Sequence, residues 1–276
     1  GEVTLYARDN KSGTWDSFKR MVLGKSLLVP HAKRFESNNE LSDQVSQDVH
    51  AIGFVGLPSV RQAKLLAIST GAGLDNRVVK ALKPTQLSVS TEDYALSRRL
   101  FLYTDDDSSN PYVKSFIDFA LSEQGQNIVA ENGFIAQNIN VVEPENYFDL
   151  PADFRQLAET NQRLTLNFRF KQGSAKLDNR ALRDIQRLVK FIEQNPDKKL
   201  VLIGFGDYKK NHERSRLLSK LRAMAVRREL VRQGVYPKAN HGYGENMPVA
   251  NNQVEAGRFK NRRVEVWLGK SEYSQP

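Results

Sequence analysis

The 276-residue chain contains no cysteine, which excludes disulfide bonds, thiolate metal sites and cysteine nucleophiles. It also has no apolar run approaching the roughly eighteen residues that a membrane-spanning helix needs, and no basic-then-apolar leader opens it. The remaining composition, 39% hydrophobic and 26% charged, is ordinary for a globular protein. A chain of this length can form two domains that each bury a core.

Charge is distributed unevenly along the chain. Residues 1–150 hold 15 Lys and Arg against 19 Asp and Glu, whereas residues 151–276 hold 26 against 13. A basic half suits nucleic acid, anionic lipid head groups or a carboxylate-bearing wall polymer. Nucleic acid is the weakest of these interpretations, because no stacking aromatics alternate with the basic residues. The asymmetry predicts a boundary between two domains of different charge.

The sequence shows no arrangement typical of a catalytic site or a metal centre. Ser12 follows Lys11 directly, but adjacent side chains leave a turn in different directions, so no Ser-Lys dyad is implied. The histidines occur singly and far apart, which does not fit metal-ligand spacing: they are His31, His50, His212 and His241. We therefore expect a protein that is not an enzyme and that has no metal and no cofactor.

The last third of the chain carries a chemically distinctive pattern. The apolar run KLVLIGF ends at Gly206-Asp207, which predicts that Asp207 stands at the tip of a buried strand. Arg222 lies on a following segment with helical apolar spacing, which Gly234 ends. The carboxylate of Asp207 and the guanidinium of Arg222 are thus predicted to lie close together at the end of this strand. The pair could serve as a ligand site or as a structural ion pair.

Several motifs in this region occur in a recognisable order. They are Phe170–Leu177, Gly206-Asp207, Leu218–Ala223, Gly242–Val249 and the NRRVE sequence at Asn261–Glu265. Together they resemble the OmpA-like, peptidoglycan-binding domain of Gram-negative envelope proteins. The resemblance covers about a hundred residues and implies a peptidoglycan-binding domain with a mixed sheet.

The resemblance also implies roles for individual residues. In the family, the aspartate binds the ammonium and the arginine binds the carboxylate of diaminopimelic acid, and these roles fall on Asp207 and Arg222. Ser215 stands where the family usually has Asn and belongs to the same implied peptidoglycan site. Phe205-Gly206 replaces the usual His-Thr before the aspartate. These departures remove side-chain hydrogen bonds, so weaker or altered wall binding is an expected consequence.

A second candidate site lies near the start of the chain. Ser12-Gly13-Thr14 opens a segment with helical character, and Arg8 precedes it. Such a corner presents backbone N–H groups and two hydroxyls where the positive end of a helix dipole lies, which favours an anion. Simple N-capping by Ser12 or Thr14 is the alternative interpretation.

Three longer segments accompany this corner: Glu36–Val60, Tyr94–Thr104 and Val113–Ile135. In that order they resemble the phosphate-binding type of periplasmic solute receptor, whose RxxxSGT segment holds phosphate oxygens. The resemblance implies an oxyanion-binding site made of Arg8, Ser12, Gly13 and Thr14. Asn10 stands where the family usually has an acid that accepts the phosphate proton, so we expect poor discrimination between phosphate and sulfate.

The family's chain runs from lobe one to lobe two and back, whereas this sequence starts at the second lobe. Either the chain is a fragment of a longer protein, which is the expectation we favour, or a half-receptor has been kept as a scaffold. We expect an α/β receptor-like domain over residues 1–140 without its first-lobe N-terminal part, a linker over 141–162, an OmpA-like β-α-β-α-β domain over 163–270 and a tail over 271–276.

The expected function is that of a periplasmic protein, associated with the cell wall or the outer membrane, that holds peptidoglycan and carries an oxyanion-receptor-like domain. Its partners are then peptidoglycan and phosphate or a similar oxyanion, without nucleic acid. The alternative is a wall-tethered substrate-binding component for phosphate or another oxyanion in ABC-type uptake.

Overall fold

The computed structural model describes residues 2–71, 79–105, 109–143, 151–208 and 211–269. The chain packs as two compact units. The first comprises Gly1–Ala67 and Leu96–Gln137, and the second comprises Ile68–Ala95 and Asn138–Pro276. The chain therefore passes between the units three times. Residues 68–71 and 79–95, which lie inside the expected receptor-like domain 1–140, pack with the C-terminal unit.

The first unit is built on a parallel sheet. Strand β1 (Thr4–Arg8) lies between β2 (Lys33–Phe35) and β3 (Ala51–Gly53), and both neighbours run parallel to it. Helix α1 (Gly13–Phe18) follows β1, and α2 (Asn38–Gln47) connects β2 to β3. Parallel strands need such crossover connections. The predicted α/β class is confirmed for this unit.

Further helical segments complete the description of the N-terminal half. A π-helical turn at Lys19–Leu23 extends α1, and a 3-10 turn spans Leu57–Ser59. Helix α3 (Gln86–Ser90) belongs to the second unit, whereas α4 (Pro111–Leu121) and α5 (Glu123–Glu131) belong to the first. The later helices thus return the chain to the first unit.

One tryptophan lies in the core of the first unit. Trp15 is 8% exposed, and the guanidinium carbon of Arg34 lies 4.6 Å from the centroid of its ring. The ring of Phe54 stacks on the two aromatic rings of α1, with its centroid 6.2 Å from that of Trp15 and 3.9 Å from that of Phe18. This aromatic group attaches α1 to the region after β3.

The second unit contains a mixed sheet of five strands in the order β4-β5-β8-β6-β7. The strands are β4 (Val141–Val142), β5 (Asn161–Arg169), β6 (Leu200–Gly204), β7 (Ala239–Gly242) and β8 (Arg263–Gly269). Strands β6 and β7 are parallel, and the other neighbours are antiparallel. The predicted mixed sheet is confirmed. β7 was not predicted, because its four residues include no apolar run and its strand conformation depends on pairing with β6.

Two long helices cover one face of this sheet. Asp178 caps α7 (Asn179–Glu193), since its carboxylate accepts a hydrogen bond from the backbone N–H of Ala181 at 2.8 Å. Helix α8 (His212–Arg232) lies beside it. The core between sheet and helices is apolar; its fully buried members include Leu164, Phe168, Ile185, Leu188, Leu202, Val226, Val264 and Val266.

Helix α6 (Ala152–Thr160) covers part of the opposite face. It lies within the expected linker 141–162, yet Phe154 is 1% exposed and Ala158 is fully buried. Their i, i+4 spacing places both on one side of the helix. Phe154 packs edge-to-face on Trp267, with the ring centroids 5.6 Å apart. Leu157 is partly buried against the same cluster. An apolar stripe of so few residues was too weak in the sequence to predict a packed helix.

Candidate functional site

Asp207 follows β6 and is only 2% exposed. Its Oδ2 accepts a hydrogen bond from Nη1 of Arg262 at 3.1 Å, and this arginine is fully buried. Arg262 also donates through Nε to the carbonyl oxygen of Phe170 at 3.0 Å and through Nη2 to Glu255. Helix α9 (Glu255–Asn261) ends directly before Arg262. The ion pair that holds Asp207 therefore involves the arginine before β8.

Arg222 lies on the inner face of α8 and is fully buried. Its Nε donates to the carbonyl oxygen of Ser174 at 3.0 Å, and its Nη1 donates to that of Phe205 at 3.4 Å. Nη2 is buried and has no hydrogen-bond partner within the described ranges. The guanidinium carbon lies 5.6 Å from the ring centroid of Phe170. Arg222 thus retains an unused donor.

Asp207 and Arg222 belong to one electrostatic neighbourhood. Burial lowers the pKa of Arg222 to about 10, because removal from water disfavours the charged guanidinium. The Asp207 carboxylate opposes this shift of the pKa, while the neighbouring Arg262 guanidinium adds to it. Two buried cations therefore share one buried carboxylate. Within the described ranges the buried Nη2 of Arg222 has no acceptor, and a carboxylate ligand could supply one.

Ser215 is 2% exposed and lies one helical turn before Ser219 on α8. Its hydroxyl donates to the backbone carbonyl oxygen of Asp207 at 3.4 Å. The Ser219 hydroxyl accepts from the backbone N–H of Gly244 at 3.0 Å. The side chains on the inner face of α8 at this end are therefore small and polar. They bind the backbone of the loop that contains Asp207 and of the loop that contains Gly244.

Sequence reasoning missed Arg262 as the partner of Asp207. The signal was the Arg262-Arg263 pair in the NRRVE motif, but a pair of adjacent arginines does not reveal which one faces the carboxylate. In an extended chain neighbouring side chains point to opposite faces. Here Arg262 contacts Asp207, whereas Arg263 donates to Glu265 at 2.9 Å.

Arg8 ends β1 and is 8% exposed. Its Nε donates to the carbonyl oxygen of Phe35 at 3.2 Å, and its other two nitrogens donate to the carbonyl oxygen of Glu36 and the side chain of Asn38. The guanidinium therefore holds the turn that leads into α2.

The remaining residues of the expected oxyanion site lie at the start of α1. The Ser12 hydroxyl oxygen accepts from the backbone N–H groups of Thr14 and Trp15 at 3.2 and 3.4 Å. Ser12 thus performs the capping role that the alternative interpretation gave it. The carbonyl oxygen of Gly13 accepts from Nη1 of Arg98 at 3.2 Å, which brings a second arginine to this corner.

Across the described ranges, no group of three or more His, Cys, Asp or Glu residues is placed to hold a metal ion. No helix in the same part of the chain is both long and apolar enough to cross a membrane.

Comparison with known proteins gives two separate matches. The model of the PBP superfamily domain matches residues 1–124, and the OmpA family model matches residues 169–262. The phosphate-binding protein PstS of Borreliella burgdorferi is 29% identical over 141 residues, which cover 49% of this chain and 48% of that protein. The chain spans about half the length of this relative.

Similarity in the C-terminal half is to envelope proteins. Outer membrane porin F of Pseudomonas fluorescens is 35% identical over 106 residues, covering 38% of this chain and 32% of the porin. A solved structure, the peptidoglycan-associated lipoprotein from Burkholderia pseudomallei, shares 25% identity with a TM-score of 0.35 and covers 37% of this chain and 88% of its own. The chain joins an N-terminal domain of the PBP superfamily to a C-terminal domain of the OmpA family.

Proposed function

We propose that this chain is a non-enzymatic protein of the cell envelope that binds peptidoglycan in the periplasm, at the wall or the outer membrane. The site consists of Asp207, Arg222 and Ser215 in the OmpA-family domain. The observation that carries the proposal is the buried Arg222, whose Nη2 has no protein acceptor in the described ranges and whose pKa is lowered to about 10.

The ligand we propose is diaminopimelate in the stem peptide. Its free end carries an ammonium and a carboxylate on one carbon, so a site with one acid and one base can satisfy both charges. A carboxylate bound to Nη2 of Arg222 would supply the missing acceptor and the missing negative charge. The ammonium would approach the carboxylate of Asp207, which lies near the guanidinium groups of Arg222 and Arg262. The carboxylate of the same ligand would add a second negative charge beside these two cations.

Diffuse attraction is the competing explanation for wall binding. Residues 151–276 carry a net charge of +13, which would attract any anionic polymer without a defined pocket. Such attraction is screened by salt and does not depend on which cation is removed. A buried pocket is screened less, and its affinity depends on one particular arginine.

We expect Arg222→Met to lower binding to purified sacculi by at least about tenfold, which is the loss of one charge-assisted hydrogen bond. The matched control is Arg227→Met, which removes the same charge from an exposed position on α8. It is expected to bind within about twofold of wild type. Pulldown at low and moderately high salt measures all three proteins.

A second arm of this experiment tests the ligand itself. Amidation of the diaminopimelate carboxylate should weaken binding of the wild type more than binding of Arg222→Met, because only the wild type retains the guanidinium that reads this group. Equal loss of binding in both arginine variants at every salt concentration would contradict the pocket and favour diffuse attraction.

We extend the proposal to an oxyanion site in the PBP-superfamily domain, formed by Arg8, Ser12, Gly13 and Thr14. Its support is the family match over residues 1–124, the similarity to phosphate-binding proteins, and the position of Ser12, Gly13 and Thr14 at the start of α1. Phosphate capture with the wall domain as a tether, in ABC-type uptake, is the alternative task for the same two domains.

Titration of the chain with phosphate and with sulfate tests this extension. Asn10, which can donate from its amide, stands where a carboxylate would repel fully deprotonated sulfate. We therefore expect the two affinities, measured by calorimetry, to lie within about tenfold of each other, which is about 1.4 kcal/mol. Strong rejection of sulfate would contradict the role given to Asn10.

A further inference from the structure

Residues 68–71 and 79–95 belong to an inserted segment, which leaves the first unit, packs within the second and returns. Within the segment, Ile68 and Leu82 form an antiparallel bridge with backbone hydrogen bonds of 2.9 and 3.0 Å. Thr70 is tied to the loop before α9: its hydroxyl accepts from the backbone N–H of Asn251 at 2.8 Å, and its carbonyl accepts from the Asn251 side chain. The segment is therefore fixed at a loop of the OmpA-family domain.

Asp93 makes the second attachment of the inserted segment. It is 9% exposed, and its Oδ1 accepts from Nη2 of Arg169 on β5 at 2.6 Å. Its Oδ2 accepts from the hydroxyl of Thr91 at 2.9 Å, and the carbonyl oxygen of Thr91 accepts from the same Arg169 nitrogen at 2.7 Å. A buried ion pair of this kind is costly to break, because one partner is left charged and uncompensated.

The contacts continue from Asp93 into α9. Arg169 also donates through Nη1 to the carbonyl oxygen of Lys260, and Nζ of Lys260 donates to the carbonyl oxygen of Tyr94 at 3.0 Å. The end of α9 is thus held both by β5 and by the inserted segment. The side chain of Lys260 closes a ring of contacts that includes Asp93 and Arg169.

Helix α9 and its preceding loop lead to Asp207 from two directions. Glu255, at the start of the helix, accepts from Nη2 of Arg262, whose Nη1 donates to Asp207. Asn252, next to the loop residue that Thr70 holds, accepts from the backbone N–H of Tyr208 at 3.2 Å. The hydrogen bonds in both routes are buried or partly buried.

We propose that the inserted segment positions the Asp207 loop, by which we mean residues 205–208 after β6. Asp93 and Thr70 are its two positioning residues. The segment comes from the receptor-like half of the sequence, so a part of that half shapes the wall-binding site. This inference rests on the proposed function for its effect on binding. It predicts that loosening the segment weakens ligand binding even where the protein remains folded.

The test uses the full chain and a diaminopimelate-containing muropeptide as the probe. Asp93→Asn keeps the shape of the side chain and removes its charge. We expect it to lower muropeptide affinity by at least about threefold at a temperature well below unfolding. Thr70→Val, which removes the acceptor for Asn251, should act in the same direction. Glu92→Gln is the matched control, since Glu92 neighbours Asp93 and its part-buried ion pair is with Arg180 on α7 rather than with a residue of β5 or α9.

Hydrogen exchange provides a readout that does not depend on the ligand. Asp93→Asn should speed amide exchange in residues 204–208 and 255–263, whereas Glu92→Gln should not. A purely structural role would lower the melting temperature and leave the affinity of the folded protein unchanged; that result, or unchanged exchange in both segments, would overturn the inference. If wild type and Arg222→Met bind the muropeptide equally, the proposed function fails, and the exchange data alone decide whether the segment positions the loop.

Discussion

Replacement of Asp207 by alanine is expected to lower the free energy of unfolding by about 3–5 kcal/mol, because it removes the buried carboxylate that pairs with Arg262 and leaves this guanidinium only the half-exposed carboxylate of Glu255. Arg222 lies nearby and is also buried, so two positive charges would face each other in a site removed from water. For a unit of this size, such a loss corresponds to a fall of about 10 °C in melting temperature. Thermal and denaturant unfolding measure it.

Two control variants separate charge from hydrogen bonding. Asp207→Asn retains an oxygen that can accept from Nη1 of Arg262, so we expect a smaller loss of stability than for alanine. Glu255→Gln alters the other carboxylate on Arg262, whose side chain is 54% exposed, and should cost at most about 1 kcal/mol. If Asp207→Ala unfolded like the wild type, Asp207 would not be the carboxylate that compensates Arg262.

Replacement of Gly204 by alanine is expected to destabilise the second unit by at least about 3 kcal/mol, the upper end of the range for overpacking. A Cβ at this position would lie 1.9 Å from the carbonyl oxygen of Ser219 and 2.7 Å from its carbonyl carbon. Both atoms belong to the backbone of α8, so no side-chain rotation can relieve the clash. The helix would have to move away from β6, and Arg222 would move with it.

Gly269→Ala serves as the matched control for this prediction. It lies in the same sheet, and the atom nearest to its added Cβ would be the carbonyl oxygen of Lys199 at 3.6 Å, an ordinary contact distance. Chemical denaturation should therefore show a large shift for Gly204→Ala and a small one for Gly269→Ala. Similar midpoints for the two variants would mean that α8 can retreat from β6 at little cost.

The C-terminal fold was largely predictable from the sequence because its elements are long and strongly patterned. The apolar run KLVLIGF predicted β6, and the helical apolar spacing that Gly234 ends predicted α8. The strand β7 and helix α9 were not predicted. Each is short, and each depends on partners that are distant along the chain.

The candidate site was predictable in part. Asp207 and Arg222 do lie in one neighbourhood. The sequence did not reveal that Arg262 donates to Asp207. The role of the inserted segment could not be read from the sequence at all. Asp93 and Arg169 lie 76 residues apart, and nothing local in either segment indicates that they meet.

The two tryptophans of the chain are divided between the two units. Trp15 lies in the first and Trp267 in the second, where its indole N–H donates to Glu265 at 3.1 Å. Both rings are buried, so exposure to water on unfolding will shift the emission of each. The chain thus carries one tryptophan per unit. With excitation at wavelengths that tyrosine does not absorb, the remaining fluorescence of Trp15→Phe reports the second unit alone, and that of Trp267→Phe reports the first unit. The two denaturation curves can therefore be recorded separately without an added label.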